Sequence, residues 1–183
     1  MLYKIIDNFL PDDLYNQFTK TLFSTDFTWF YHDYVGFKGD KGINKFYFTH
    51  LFYGDGALFK SNTVGINSNH YNDIIEPICF MLFGKEFSLI RAKANLFTKR
   101  ERHIKYGLHI DYNFDKHTTL VYSLNKNNGY TEFEDGTKIP SNENQLLIFD
   151  GNIPHRSVGQ TDTKIRINLN INLNMDPEIL CKN

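Results

Sequence analysis

Ile165-Arg166-Ile167-Asn168-Leu169-Asn170-Ile171-Asn172-Leu173 alternates apolar and polar residues without a break. Successive side chains of a β-strand leave opposite faces, so this stretch presents five aliphatic residues on one side and Arg166, Asn168, Asn170 and Asn172 on the other. The aliphatic face requires a core to cover it. The polar face is open to two readings on periodicity alone: a solvated sheet surface, or the lining of a polar pocket that begins with an arginine.

Working back from this strand, residues 87–97, 107–113, 118–125, 130–139 and 144–150 form further short strand-like runs separated by Gly, Asn, Asp or Pro. Asp135-Gly136 marks a hairpin turn. The amino-terminal half has a different period. Leu14, Phe18 and Leu22 recur every four residues behind Pro11-Asp12 and predict a helix over 12–24. Ile74, Ile78, Met81 and Leu82 predict a second over 68–84, with Gly84 as its stop. Residues 28–34 and 45–53 are candidate strands. The pattern is that of an α+β, mainly β chain, a sandwich or jelly roll with helices packed on one sheet. A chain of 183 residues with no linker is expected to form one domain, with a helical supporting part over 1–85 and a β core over 86–175.

The 17 Phe and 11 Tyr argue for a packed core rather than disorder. A formal net charge of -1 supplies no field that would by itself gather nucleic acid or an anionic membrane. Asp7 and Pro11-Asp12-Asp13 interrupt the start of the chain, so it does not read as a secretory signal. No apolar run approaches the roughly eighteen residues of a membrane span. Cys79 and Cys181 lack C-x-x-C spacing; a reduced, cytoplasmic setting fits, and the sequence leaves open whether the two pair.

The chemistry resides in Gly107-Leu108-His109-Ile110-Asp111. On a strand, His109 and Asp111 project from one face and present an imidazole and a carboxylate to one metal ion. His155, after the apolar run Leu147-Ile148-Phe149-Asp150 and a Gly/Pro turn, would complete a set of two histidines and one carboxylate. Such a set leaves about three coordination positions open for a chelating cosubstrate and dioxygen. An H-x-D triplet alone is common by chance. Its combination with His155 and with Arg166 on the last strand is far more informative, because a guanidinium is a planar, permanently charged partner for a desolvated carboxylate.

With these residues in place the sequence resembles the 2-oxoglutarate/iron(II) oxygenase superfamily, in particular prolyl-hydroxylase-like proteins of marine phages and bacteria. The resemblance spans roughly residues 89–173. It rests on Ala94-Asn95-Leu96-Phe97, His109-Ile110-Asp111, residues 120–125, Asn128-Gly129-Tyr130-Thr131, residues 147–150 before His155, and Arg166-Ile167-Asn168. It implies a double-stranded β-helix, with the Arg166 face of the last strand turned into the barrel and the Ile/Leu face against the helices. It further implies Fe(II) on His109, Asp111 and His155, and 2-oxoglutarate held by Arg166 with Asn95 and Asn168 in support. Tyr122 is a weaker candidate for the cosubstrate, since strand alternation favours Val121 and Ser123 as the inward residues. Phe97 stands where several relatives have a tyrosine, and Asn172 where nucleic-acid demethylases have a second arginine.

The implied reaction is hydroxylation of a protein, peptide or amino-acid substrate, proline being the family-level expectation. Succinate and carbon dioxide would be its co-products and ascorbate a supporting reductant. A phage-encoded protein of this kind would act in the host cytoplasm. The alternatives are a nucleobase hydroxylase or demethylase, a non-catalytic jelly-roll binding module that retains metal ligands, and a cupin-like metal enzyme, which would have no need of Arg166. His103, His117 and Arg156 are lesser candidates for substrate contact. The charged run Arg100-Glu101-Arg102 is either a solvated loop or a lid.

Overall fold

The computed structural model describes residues 2–55, 64–84, 86–113 and 115–181. Eleven strands and three α-helices are found among them. In chain order these are β1 (Tyr3–Ile6), α1 (Asp12–Leu22), β2 (Phe30–His32), β3 (Tyr47–Asp55), β4 (Val64–Ile66), α2 (Glu76–Phe83), β5 (Leu89–Thr98), β6 (Thr118–Ser123), β7 (Asn127–Phe133), β8 (Lys138–Ser141), β9 (Gln145–Asp150), β10 (His155–Val158), β11 (Ile165–Leu173) and α3 (Pro177–Cys181). The strands form two sheets. The larger has the order β1-β9-β6-β11-β5-β3-β2, with β4 also on β3, and the smaller is β10-β7-β8. Every strand pairing is antiparallel. The architecture is therefore the expected mainly β jelly roll.

β11 occupies the middle of the large sheet, between β5 and β6, which decides between the two readings of its polar face. Its aliphatic residues Ile167, Leu169, Ile171 and Leu173 belong to the main buried cluster, together with Phe18 and Leu22 of α1 and Ile78 and Cys79 of α2. Arg166, Asn168, Asn170 and Asn172 are buried as well. A solvated edge is excluded, and the polar face needs partners inside the protein. A second, smaller cluster of Val121, Leu147 and Phe149 from the large sheet with Phe133 and Ile139 from the small one closes one end of the space between the sheets.

Several boundaries differ from expectation for identifiable reasons. The helix expected over 68–84 begins as a π-helical turn, Tyr71–Ile75, and becomes α-helical only at Glu76. Pro77 lies in the first turn of α2, where its missing N–H costs nothing; Gly84, at φ 62°, ends the helix as predicted. The Asp135-Gly136 turn falls between β7 and β8, with Gly136 at φ 87°. β1 was not anticipated; it adds to the large sheet beside β9. The segment 107–113 is not a regular strand: it runs beside β10 through an isolated bridge between His109 and His155. Cys79 and Cys181 are free thiols. No helix among the described residues is long and apolar enough to cross a membrane.

Candidate metal centre and acid pocket

His109 and His155 form one rung between the two chain segments, each backbone N–H donating to the other's carbonyl (3.0 and 2.9 Å). The rung brings the two imidazoles to a centroid separation of 4.9 Å. Each ring is oriented by its own backbone neighbourhood: Nδ1 of His109 is 2.9 Å from the Gly107 carbonyl, and Nδ1 of His155 is 3.0 Å from the Ile153 carbonyl. A carbonyl can only accept, so both Nδ1 atoms carry the proton and both Nε2 lone pairs remain free. Nε2 of His109 lies 3.8 Å from Asp111 Oδ1 and Nε2 of His155 3.8 Å from Oδ2. One ligand atom from each of the three residues falls within 4.8 Å of the other two. Two imidazoles and a carboxylate at that separation suit a divalent first-row metal.

Electrostatics favour the ligating forms of Asp111 and His155. Burial works against ionised Asp111, but the Arg91 guanidinium, with His155, Lys93 and His109, keeps its carboxyl well below the usual range. Burial likewise pushes the His155 imidazole down, toward the neutral state. Asp111 is held from both sides: Arg91 donates to Oδ1 (2.9 Å), while Asn170 and Asn172 donate to Oδ2 (3.1 and 3.0 Å).

The three residues line one recess of ≈ 480 Å³, its open mouth included, together with Lys93, Asn95, Arg166, Asn168 and Asn170. Arg166 lies at the far end and is 1 % exposed. Its guanidinium lies 5.5 Å from the centre of the Phe97 ring and donates to Ser157 Oγ (2.8 Å) and the Val158 carbonyl (3.1 Å). Its Nε is buried without a partner. Among the described residues no carboxylate neutralises it, and burial lowers its pKa to about 10. A buried guanidinium with only neutral partners is suited to an incoming carboxylate. Asn95 and Asn168 face each other across β5 and β11, joined by a 2.8 Å bond from Asn95 Nδ2 to Asn168 Oδ1; Asn95 Oδ1 is left unpaired. The donor set and the pocket thus fit both a divalent metal and a dicarboxylate.

Tyr122 is a correction. Its side chain leaves the opposite face of β6, its ring lies edge-on to Phe18 at 6.5 Å, and its hydroxyl donates to Asn144 Oδ1 at 2.9 Å. Val121, its neighbour on the strand, lines the pocket instead. The lesser candidates also lie elsewhere. Nδ1 of His103 meets the Gly159 carbonyl at 2.8 Å, His117 is fully buried against Gly151, and Arg156 pairs with Glu132 at 3.4 Å. Arg100 lies over the Phe46 ring.

Four contributors were missed in the sequence: Arg91, Lys93, Tyr47 and Gly36. The first two had a signal, because Arg91, Lys93, Asn95 and Phe97 share one face of β5 while Ala92 and Ala94 share the other. A strand that alternates large polar groups with alanine is lining something. Tyr47, on the expected strand 45–53, and Gly36 arrive from the amino-terminal half, where nothing in the local pattern ties them to the pocket. Gly36, at φ 83°, passes so close to His109 that a Cβ there would lie 2.7 Å from the ring's Nδ1. Tyr47 stacks on Phe97 at 5.5 Å and brings to the pocket a hydroxyl that position 97 lacks.

With this geometry in hand, comparison with solved structures is informative. An oxidoreductase of the 2OG-Fe(II) oxygenase family from Burkholderia pseudomallei superposes with a TM-score of 0.64 at 12% identity, covering 95% of this chain and 86% of that one. The chain has the fold of the 2-oxoglutarate oxygenases. The α-ketoglutarate-dependent epimerase SnoN of nogalamycin biosynthesis gives 0.60 at 13% identity over 95% and 77% of the two chains. A Trichoplax adhaerens prolyl hydroxylase, solved with a peptide of hypoxia inducible factor, gives 0.57 at 16% over 93% and 82%. No family model matches the chain, and no curated protein matches it by sequence. The fold is thus shared by proteins named for different reactions, and any assignment of chemistry must come from the site.

Proposed function

We propose that this protein is an Fe(II)- and 2-oxoglutarate-dependent oxygenase that hydroxylates a carbon of an amino acid, peptide or protein. The observation that carries the proposal is the joint presence, in one recess, of the His109, Asp111 and His155 ligand atoms and of Arg166, a buried cation without a counter-charge among the described residues. A binding module would have no use for three side chains poised in their ligating states. A metal enzyme that does not bind a dicarboxylate would have no use for Arg166.

Each side chain then has a defined task. His109, Asp111 and His155 would hold the iron, as a set of two imidazoles and one carboxylate suits it. Arg166 anchors the distal carboxylate of 2-oxoglutarate, and Asn95 and Asn168 support the cosubstrate between anchor and metal. When bound, iron and 2-oxoglutarate supply oxidative power by splitting dioxygen, with succinate and carbon dioxide as co-products. The protein contributes orientation and exclusion of water: Phe97, Tyr106 and Val35 form an apolar cluster with Tyr47 next to the pocket. No acid–base pair is required.

The test is anaerobic titration of 2-oxoglutarate with Fe(II) present, followed by succinate formation under air. The wild type should bind and turn over slowly without a prime substrate. Asp111→Ala should lose turnover through loss of metal, and Arg166→Ala through a rise of tenfold or more in the 2-oxoglutarate dissociation constant. Absence of 2-oxoglutarate binding with iron present would overturn the assignment.

A further inference from the structure

Beyond the ligands of metal and cosubstrate, the recess is lined by a second, half-buried cation with no assigned task, Lys93. The register of β5 and β11 runs Phe97 opposite Arg166, Asn95 opposite Asn168, Lys93 opposite Asn170 and Arg91 opposite Asn172. By backbone register Arg166 therefore marks one end of the pocket and Lys93 the other, opposite the asparagine that touches Asp111, with Tyr47 reaching toward Lys93 from its stack on Phe97. Lys93 Nζ is 3.3 Å from the Tyr47 hydroxyl and 5.5 Å from the centre of its ring.

Counting charges locates a gap. Fe(II), Asp111, a 2-oxoglutarate dianion and Arg166 sum to zero, so Arg91 leaves a surplus of positive charge at the metal end, to which Lys93 adds when protonated. Among the described residues nearby acids do not remove it: Asp40 is paired with Lys45, and Glu132 with Lys105 and Arg156. Burial, with Arg91 close by, pulls the Lys93 ammonium down to about 7 against the opposing pull of Asp111, and a carboxylate placed beside it would favour its charged form. The Tyr47 hydroxyl, pushed by burial up to about 12, remains a donor at any physiological pH. An ammonium and a phenol side by side offer a carboxylate two hydrogen bonds.

We propose that Lys93 and Tyr47 form a carboxylate subsite for the molecule that is oxidised, so that the prime substrate is a small acid such as a free amino acid or bears an acidic side chain. The inference rests on the oxygenase reading and narrows its substrate. Lys93 and Tyr47 both line the open recess that holds His109, Asp111 and His155, so an acid entering from its mouth would meet them beside the metal ligands.

Protein loaded with Mn(II) and 2-oxoglutarate under nitrogen, where no turnover occurs, is titrated calorimetrically with free L-amino acids and their amides. Blocked tripeptides centred on Asp or Glu are titrated alongside Asn and Gln counterparts. At least one acid should bind more than tenfold tighter than its amide, and whether it is free or within a tripeptide identifies its source. Lys93→Met should erase the preference and Lys93→Arg should keep it. 2-Oxoglutarate binding by each variant reports that the pocket is folded. No acid binding to a protein that holds 2-oxoglutarate, an amide binding as well as its acid, or a preference that survives in Lys93→Met would overturn the subsite. If the wild type fails to bind 2-oxoglutarate at all, the oxygenase reading fails and the subsite falls with it.

Discussion

Arg91 and Asn172 stand directly opposite each other on β5 and β11 and hold different oxygens of Asp111, at 2.9 and 3.0 Å. Groups that fix a ligand's orientation and ionisation control metal affinity without touching the metal. Arg91→Met should therefore weaken Fe(II) or Mn(II) binding by about 10–100-fold with little change in far-ultraviolet circular dichroism. Metal titration monitored by electron paramagnetic resonance checks this; affinity equal to wild type would show that the asparagines suffice.

Gly36→Ala combines two penalties. A non-glycine residue at φ 83° is strained, and its Cβ would meet the His109 ring at 2.7 Å. Thermal denaturation should show a loss of about 1 kcal/mol or more. Because displacement of the imidazole also disturbs its bond to the Gly107 carbonyl, metal affinity should fall roughly tenfold or more. A backbone effect alone would lower the melting temperature and leave metal binding intact.

Tyr122→Phe separates core from pocket. Its hydroxyl bonds Asn144 Oδ1, which also accepts from the Leu10 backbone N–H. Loss of that buried bond should cost about 1 kcal/mol in denaturant unfolding, while the dissociation constant of 2-oxoglutarate stays at the wild-type value. A raised dissociation constant would return Tyr122 to the site.

Stability should fall on acidification, in part through His50. Its Nδ1 is 2.8 Å from the Thr28 carbonyl and its Nε2 2.7 Å from Ser68 Oγ, and burial lowers its pKa from 6.5. The unfolded chain then takes up a proton more readily than the folded one, so the His50 contribution is intact above 6.5 and is lost as pH falls from there toward the folded value. Burial lowers His32 as well, so the slope has more than one source. Melting temperatures followed from roughly pH 8 to pH 5 should decline, and His50→Gln should make the decline shallower.

The parts of this fold that follow a strict period were legible from sequence. The alternation of β11 separated the core from the pocket, and His109, Asp111, His155 and Arg166 could be picked out because they belong to, or directly adjoin, such elements. What could not be read depends on contacts distant in sequence. His109 and Asp111 share a face not through a regular strand but because the His109–His155 rung and the asparagines of β11 aim them. The approach of Gly36 has no local signature, since residues 35–44 carry neither a helical nor a strand period, and Tyr47, though on the expected strand 45–53, reaches the pocket only through the pairing of β3 with β5. Tyr122 misled as an isolated polar group on a strand; its alternation with Val121 held the answer.

β11 serves the core with one face and the pocket with the other over its whole length. Shifting a strand by one residue exchanges its faces, so a single insertion or deletion between Ile165 and Leu173 would drive asparagines among Phe18, Leu22 and Ile78 and place aliphatic groups where Asp111 is held. Substitutions along the strand can be graded in effect, but changes in its length cannot. Among sequences that share this architecture, the spacing from Arg166 to Asn172 should be as invariant as the residues themselves, while gaps accumulate at the β2–β4 edge of the sheet.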